Sequence, residues 1–224
     1  MNYYIGLSLA SSSGMDSGVA VIDENNNIIT LDKLYKMNDI IFFFENFSSL
    51  KYSKICVSVP HDRTMLEGKW RILGKPYLPV ATNKIIPNRD NWTQRLSQRG
   101  SDFFKELSLR NIEVTRFDIY ISRQSLHLNS CYKDRSPADC KFLQQVLKYE
   151  WGFNDLPTNM MPMSHMEALI GAILAKENSK NPNKIRKLYD FKGLSVIDIK
   201  KNLQIHDEVY LFEKELMGVL PDEN

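Results

Sequence analysis

Apolar and polar residues are distributed along the first 35 positions in a way that predicts three short strands. Apolar, β-prone runs occupy residues 3–10, 18–23 and 28–35. A loop of serine, glycine and aspartate joins the first two runs, and three consecutive asparagines form a turn before the third. Because short connections of this kind join antiparallel neighbours, the pattern predicts a three-stranded antiparallel meander.

A helix and a fourth strand are predicted next. Four apolar residues recur at the i, i+3, i+4, i+7 spacing of one helix face: Ile40, Phe43, Phe44 and Phe47. Asn38 or Asp39 is a suitable N-cap for this helix, which we expect to end near residue 50. Residues 54–59 form a near-continuous apolar run before a proline. That run is typical of a central strand, here expected to lie parallel to the first.

Helices and strands continue to alternate beyond residue 100. Ser101 is predicted to cap a helix that ends near residue 110, and residues 113–121 alternate between polar and apolar as a strand does. A serine followed by proline predicts a helix over residues 136–151. Ser164 and Glu167 have the S-x-x-E spacing of a capping box, which predicts the start of another helix.

The end of the sequence predicts a hairpin and one more helix. Two β-prone runs at residues 187–191 and 194–199 flank a Lys-Gly turn, and residues 207–220 have the pattern of a last helix. The whole order is a strand meander, then alternating helices and strands, then helices. It predicts an α/β protein in which a mixed sheet combines the meander with parallel strands and carries helices on both faces.

A single domain over residues 1–224 is predicted, with an insertion at about 61–100 and a C-terminal extension at about 180–224. The insertion holds five more basic than acidic residues, whereas the whole chain has a formal charge of +2. Phosphates require positive charge and unstacked bases stack on aromatic rings, so this stretch is a candidate nucleic-acid surface. The alternative is a solvated, basic insertion whose aromatic residues anchor it to the core. The candidate contact residues are Lys69, Trp70, Arg71, Lys75, Arg89, Trp92, Arg95 and Arg99.

Composition narrows the class of protein. Hydrophobic residues make up 43% and charged residues 25% of the chain, as in an ordinary globular protein. No apolar run approaches the roughly 20 residues that span a bilayer, and the amino terminus lacks a secretory pattern. The three cysteines lack the spacing of a zinc site or a disulfide framework. We therefore expect a cytoplasmic protein without a membrane partner.

Four short segments resemble an uncharacterised family of predicted nucleases with a ribonuclease H-like fold. Residues 4–10 (YIGLSLA) are similar to the family's G-hydrophobic-Asp-hydrophobic-Ala strand, and residues 57–60 (VSVP) to a strand ending Asp-Ala-Pro-Leu. Residues 165–172 (HMEALIGA) are similar to a helix that carries Asp-Ala-Leu before small residues. Residues 117–120 (FDIY) match more weakly a Glu-hydrophobic-Tyr-Pro segment. The resemblance implies a ribonuclease H-like fold over residues 3–176.

The resemblance also implies a metal site, from which this chain departs. Active members of the fold hold two Mg²⁺ or Mn²⁺ ions between acidic side chains, and the ions activate water at a phosphodiester. Here Ser8 and Ser58 stand at two of these acidic positions, and Asp118 and Glu167 remain as the candidate catalytic and metal-binding residues. A serine hydroxyl is neutral and therefore a poor ligand for a hard cation.

Three further residues are candidates for the same site. Asp16, in the loop after the first strand, and Asp62, just beyond the fourth, are candidate substitute ligands, although each also suits an ordinary loop. Glu167 has an alternative role in the capping box with Ser164. His165 is a candidate for proton transfer, but a single histidine in a first helical turn is more often structural.

Three functions follow as hypotheses. The preferred one is a catalytically degenerate ribonuclease H-like protein that binds nucleic acid or a partner protein without efficient cleavage. The second is a divergent Mg²⁺- or Mn²⁺-dependent nuclease or phosphodiesterase that uses Asp118 and Glu167. The third is a nucleotide-binding module whose loop at residues 11–14 (SSSG) contacts phosphate. The sequence contains neither a P-loop pattern nor a G-x-G-x-x-G motif to support the third.

Overall fold

A computed structural model describes most of the chain. The described residues are 2–48, 54–58, 87–117, 119, 122–123, 126–182, 185–191 and 194–199. Two predicted segments lie outside these residues: the part of the insertion before residue 87 and the last helix at residues 207–220. Asp62, Asp118, Lys69, Trp70, Arg71 and Lys75 lie outside them as well.

The described strands form one mixed sheet. They are β1 (Tyr4–Ser8), β2 (Ser17–Ile22), β3 (Ile28–Leu34), β4 (Lys54–Ser58), β5 (Thr115–Phe117), β6 (Ile185–Phe191) and β7 (Leu194–Ile199). Their order across the sheet is β3-β2-β1-β4-β5-β7-β6. The neighbours β1–β2 and β2–β3 are antiparallel, whereas β1–β4, β4–β5 and β5–β7 are parallel. The predicted mixed α/β class is confirmed.

The described helices are α1 (Met37–Ser48), α2 (Pro87–Leu109), α3 (Pro137–Tyr149) and α4 (Met163–Lys180). Helix α4 packs against β1, β2 and β4 and also contacts α3. Its residues from Met163 to Ala175 are all buried. A helix that is covered on every side belongs to the core, which explains why α4 shows no clear amphipathic stripe.

Glycines let the backbone of α4 lie directly on the sheet. A Cβ atom on Gly6 of β1 would lie 1.9 Å from the carbonyl oxygen of Ala168, and one on Gly18 of β2 would lie 2.0 Å from that of Ser164. On the helix side, a Cβ on Gly171 would lie 3.0 Å from the Cα of Gly6. No side chain larger than hydrogen fits at Gly6 or Gly18, so these glycines set the distance between helix and sheet.

The predicted start of α3 is confirmed. The hydroxyl of Ser136 accepts a hydrogen bond from the Asp139 N–H, and Pro137 is the first helical residue. The predicted terminal hairpin is also confirmed, because β6 and β7 pair antiparallel and extend the sheet beside β5.

Several predicted helix boundaries are wrong. Helix α1 begins at Met37, so Asn38 and Asp39 lie inside its first turn rather than capping it. Helix α2 runs without a break from residue 87, so Ser101 lies in its interior. In both cases the helix continues towards its amino terminus beyond a good capping residue, because a cap is a local preference that tertiary packing overrides.

The predicted fifth strand is too long. Strand β5 ends at Phe117, and residues 119, 122 and 123 are helical. The alternation of polar and apolar residues over 113–121 is therefore not one extended segment. Along the part of the chain that the structure describes, no helix is both long enough and apolar enough to cross a bilayer.

We expect the substitution Gly6→Ala to destabilise the fold by more than about 3 kcal/mol, since the added methyl group would overlap the backbone of α4. Gly14→Ala is the matched control, because the nearest atom to its added Cβ would be 3.9 Å away. Denaturant unfolding of both variants tests this. Equal stability of the two variants would show that the glycines do not set the helix–sheet distance.

Candidate functional site

The two serines at the expected acidic positions lie side by side at the carboxyl ends of two parallel strands. Ser8 is the last residue of β1, Ser58 is the last residue of β4, and the two are paired in register. Both are almost buried, at 7% and 9% exposure. In open α/β sheets this edge is where ligands bind, because backbone and side-chain polar groups point out of the strand ends.

Glu167 lies against this edge and both of its carboxylate oxygens are engaged. The Ser8 hydroxyl donates a hydrogen bond of 2.6 Å to Oε2, and Nη1 of Arg135 donates one of 2.6 Å to Oε1. The Glu167 side chain is 6% exposed, whereas that of Arg135 is 40% exposed. Glu167 is therefore an almost buried carboxylate whose charge is balanced by a guanidinium that reaches solvent.

The capping-box role of Glu167 is wrong. The N-cap of α4 is Pro162, which makes no side-chain cap hydrogen bond, so both Ser164 and Glu167 lie inside the helix. The Ser164 hydroxyl instead donates a hydrogen bond of 2.5 Å to Asp16. The S-x-x-E spacing is present, but tertiary partners take both side chains away from the helix end.

A buried ion pair fixes the loop that carries Arg135. The side chains of Arg123 and Asp139 are 2% and 1% exposed, and Nη2 of Arg123 lies 2.6 Å from Oδ1 of Asp139. Asp139 also accepts hydrogen bonds from the Ser130 hydroxyl at 2.6 Å and from the Arg135 backbone N–H at 2.8 Å. Burial opposes ionisation of Asp139, but the hydrogen bonds from Arg123 and Ser130 outweigh it and hold its pKa below the ordinary value.

The backbone of Arg135 is itself unusual. Its φ angle is +58°, in the left-handed region that side-chain-bearing residues seldom adopt. The hydrogen bond from its N–H to Asp139 holds this conformation. Since the loop is constrained at both the backbone and the buried ion pair, Arg135 is presented to Glu167 by a rigid support.

Asp16 occupies the other side of the same site. Its carboxylate accepts the Ser164 hydrogen bond at 2.5 Å. Burial alone would raise its pKa, but this hydrogen bond and others to the charged form lower the pKa below its ordinary value. Asp16 is therefore ionised near neutral pH, and it ties the loop after β1 to the start of α4.

A cavity of about 210 Å³ connects these residues. The Ser8, Ser58, Asp16, Arg135 and Glu167 side chains are among those that line it. Leu96 of α2, which is 3% exposed, covers part of the same cavity. Helix α2, which begins inside the predicted basic insertion, therefore passes beside the candidate site.

The other four predicted nucleic-acid residues lie on α2. Arg89 and Trp92 lie in its first two turns. Arg95 is exposed on the same helix and directly precedes Leu96. Arg99 is half-buried and donates through Nη2 to the Tyr35 carbonyl at 2.5 Å. Arg99 therefore anchors α2 to the chain after β3, and burial lowers its pKa.

The His165 side chain is buried inside the protein. It is 6% exposed, and within the described part of the chain neither ring nitrogen has a hydrogen-bond partner. Burial first, and then the charge of Lys33, lower its pKa, while Asp16 and Asp32 oppose this shift. A neutral imidazole enclosed in this way is poorly placed for proton transfer, and it is not among the described residues that line the cavity.

The described donor set does not fit the Mg²⁺ or Mn²⁺ ions that the resemblance implies. These ions require several oxygen ligands, preferably anionic. The cavity at the ends of β1 and β4 has two described carboxylates, Asp16 and Glu167. Ser164 donates a hydrogen bond to Asp16, and Ser8 and Arg135 donate to the two oxygens of Glu167, so both carboxylates already have partners. No group of three or more His, Cys, Asp or Glu side chains placed for a metal occurs within the described ranges.

Arg135 is the main residue that sequence reasoning missed. It lies in a loop, 32 positions from Glu167, and no motif marks it. The available signal was the helix start at Ser136-Pro137, which fixes the position of the preceding residue. The Ser164–Asp16 hydrogen bond was missed because the capping-box pattern offered a local partner for Ser164.

Comparison with known proteins finds a likeness in structure. No family model matches the chain, and no curated protein matches it in sequence. The fold is similar to that of T. thermophilus RuvC in complex with Holliday junction substrate, at 9% identity and a TM-score of 0.47. The alignment covers 81% of this chain and 97% of that chain. A likeness at this level does not assign a function.

We expect His165 to make the fold less stable in mild acid. Its pKa in the folded chain lies below the ordinary value of about 6.5, so the unfolded chain takes up a proton first. The free energy of unfolding therefore falls as the pH drops below about 6.5, down to the lowered native pKa. Denaturant unfolding between about pH 7.5 and 5.5 measures this. His165→Leu should flatten the pH dependence, and an unchanged slope in that variant would assign the effect to other groups.

Proposed function

We propose that this chain is a catalytically degenerate ribonuclease H-like protein that binds nucleic acid at the edge formed by β1 and β4 without efficient cleavage. The main support for the proposal is that both carboxylate oxygens of Glu167 already accept hydrogen bonds. Its two oxygens are held by Arg135 and Ser8, each at 2.6 Å. An acid that neutralises a neighbouring guanidinium in this way serves as a structural anchor rather than as an exposed ligand.

The charge balance supports this reading. A divalent cation at Glu167 would have to displace or closely approach the positively charged Arg135, and like charges in a partly buried site repel strongly. The ends of β1 and β4 supply hydroxyls in place of the anionic oxygens that would offset this repulsion. Arg135 thus supplies the positive charge that would otherwise come from an ion.

The position of α2 supports nucleic acid as the ligand. Leu96 lines the cavity, so the exposed Arg95 is held close to the candidate site. The stretch from residue 61 to residue 100 carries five more basic than acidic residues, and its last turns form part of α2. Residues 87–100 of α2 contain three arginines and one aspartate. Cations along the edge of a site offer phosphate contacts that do not depend on metal.

A second candidate is favoured by one specific observation. Glu167 does reach the carboxyl end of β1, where the family resemblance places a catalytic acid. A divergent nuclease or phosphodiesterase would use Glu167 together with Asp118 and a divalent ion. In that case Arg135 would have to leave Glu167 before the ion binds.

The test is an end-labelled panel of single- and double-stranded DNA and RNA, together with a hybrid duplex, in the presence of Mn²⁺. Wild type is compared with Glu167→Ala and Asp118→Ala in the same gels. We expect shifted bands without cleavage above the variants, and binding that weakens steeply as salt is raised. Arg95→Ala should reduce the salt slope by about one and weaken binding to all sequences.

Lys105→Ala is the matched control for Arg95, because Lys105 is an exposed cation further along the same helix. It should leave binding near the wild-type level. Mn²⁺-dependent cleavage that disappears in both acid variants would replace this proposal with the nuclease. The absence of both cleavage and shifted bands would reject nucleic acid as the ligand.

A further inference from the structure

Helices α1 and α2 border a groove that is separate from the cavity at Ser8 and Glu167. It encloses about 860 Å³. Met37 and Phe43 of α1 line it and are partly buried, while Phe42 beside them is 64% exposed. Ile41 and Phe44 of the same helix are buried in the core, whereas Phe42 points away from it. Phe42 is therefore an exposed apolar side chain on the wall of the groove.

The groove is acidic although the chain is slightly basic. Four carboxylates line it, two from each helix: Asp39, Glu45, Asp102 and Glu106. Arg110 is the cation among the described lining residues, so the formal charge of this lining is −3, against +2 for the whole chain. A field of this sign attracts a positively charged ligand and repels phosphates.

The groove is preformed. Arg110 donates from Nε to Glu45 of α1 at 2.6 Å and from Nη1 to Glu106 of α2 at 2.5 Å. These bonds connect the two helices at one end of the groove. Below it, the rings of Phe44 and Phe103 pack edge to face at 5.6 Å. A ligand would therefore meet fixed walls, which lowers the ordering cost of binding.

We propose that this groove is a docking site for a basic amphipathic segment of a partner protein. An apolar side chain of the segment would pack beside Phe42, and flanking lysines or arginines would face the acidic lining, whose formal charge is −3 with Arg110 included. Nucleic acid is disfavoured by the charge. A second copy that used the same face would bring two acidic grooves together and is disfavoured for the same reason. The proposal is independent of the nucleic-acid function proposed above.

The probe is a labelled amphipathic peptide of leucine and lysine, about 18 residues long so that it can form a helix. A peptide with glutamate in place of lysine serves as its opposite. Fluorescence anisotropy with the full chain measures binding to wild type, Phe42→Ser and Asp39→Asn. Tyr149→Ser is the matched control, since Tyr149 is 75% exposed on α3 and is not among the described lining residues.

We expect the lysine peptide to bind wild type and Tyr149→Ser equally and to bind Phe42→Ser at least about tenfold more weakly. Asp39→Asn should reduce affinity less, and added salt should weaken binding throughout. Hydrogen exchange should slow in α1 and α2. Circular dichroism verifies that each variant is folded.

Four results would overturn the proposal. They are no binding of the lysine peptide by wild type, equal binding by Phe42→Ser, equal binding of the glutamate peptide, and a Phe42-dependent dimer in sedimentation that excludes the peptide. The last result would assign the groove to a second copy of this chain.

Discussion

Helix α4 lies directly on the sheet, with no side-chain layer between the two backbones at Gly6 and Gly18. Gly6 and Gly18 have no side chain, and the helix backbone occupies the space where a Cβ would lie. This close approach sets the rotation and height of α4 on the sheet. It places Oε2 of Glu167 2.6 Å from the Ser8 hydroxyl oxygen. Ser58 lies beside Ser8 on the neighbouring strand β4. If side chains separated α4 from the sheet, the Glu167 carboxylate would lie too far from the end of β1 to bind Ser8.

A carboxylate in this position needs a counter-charge, because an isolated charge that is almost buried is strongly unfavourable. In this chain the counter-charge comes from the protein itself. Arg135 is held by its backbone bond to Asp139, which is in turn locked to the buried Arg123. The ion pair of Asp139 and Arg123 is buried, so it anchors this loop to the core. Arg135 thereby balances the charge of Glu167.

Periodicity and turn residues were sufficient to predict most strands, the start of α3, the terminal hairpin and the mixed α/β class. Those features depend on local preferences that tertiary packing also satisfies. Local reasoning failed at Ser101 and at the capping box of Ser164, where a good cap lies inside a longer helix. It also failed for Arg135, whose partner is 32 residues away. A contact of this kind is decided by how the layers meet, and nothing in the spacing of residues along the chain encodes it.

We propose that Arg135 takes the place of a divalent cation as the counter-charge of Glu167. Mn²⁺ binding, measured by electron paramagnetic resonance, is the experiment that decides this. Wild type is compared with Ser8→Asp/Ser58→Asp and with the same double variant carrying Arg135→Ala. We expect no binding by wild type, weak binding when Arg135 is present with the two new acids, and clearly tighter binding once Arg135 is removed. Tight binding of Mn²⁺ by wild type that is lost in Glu167→Ala would contradict it.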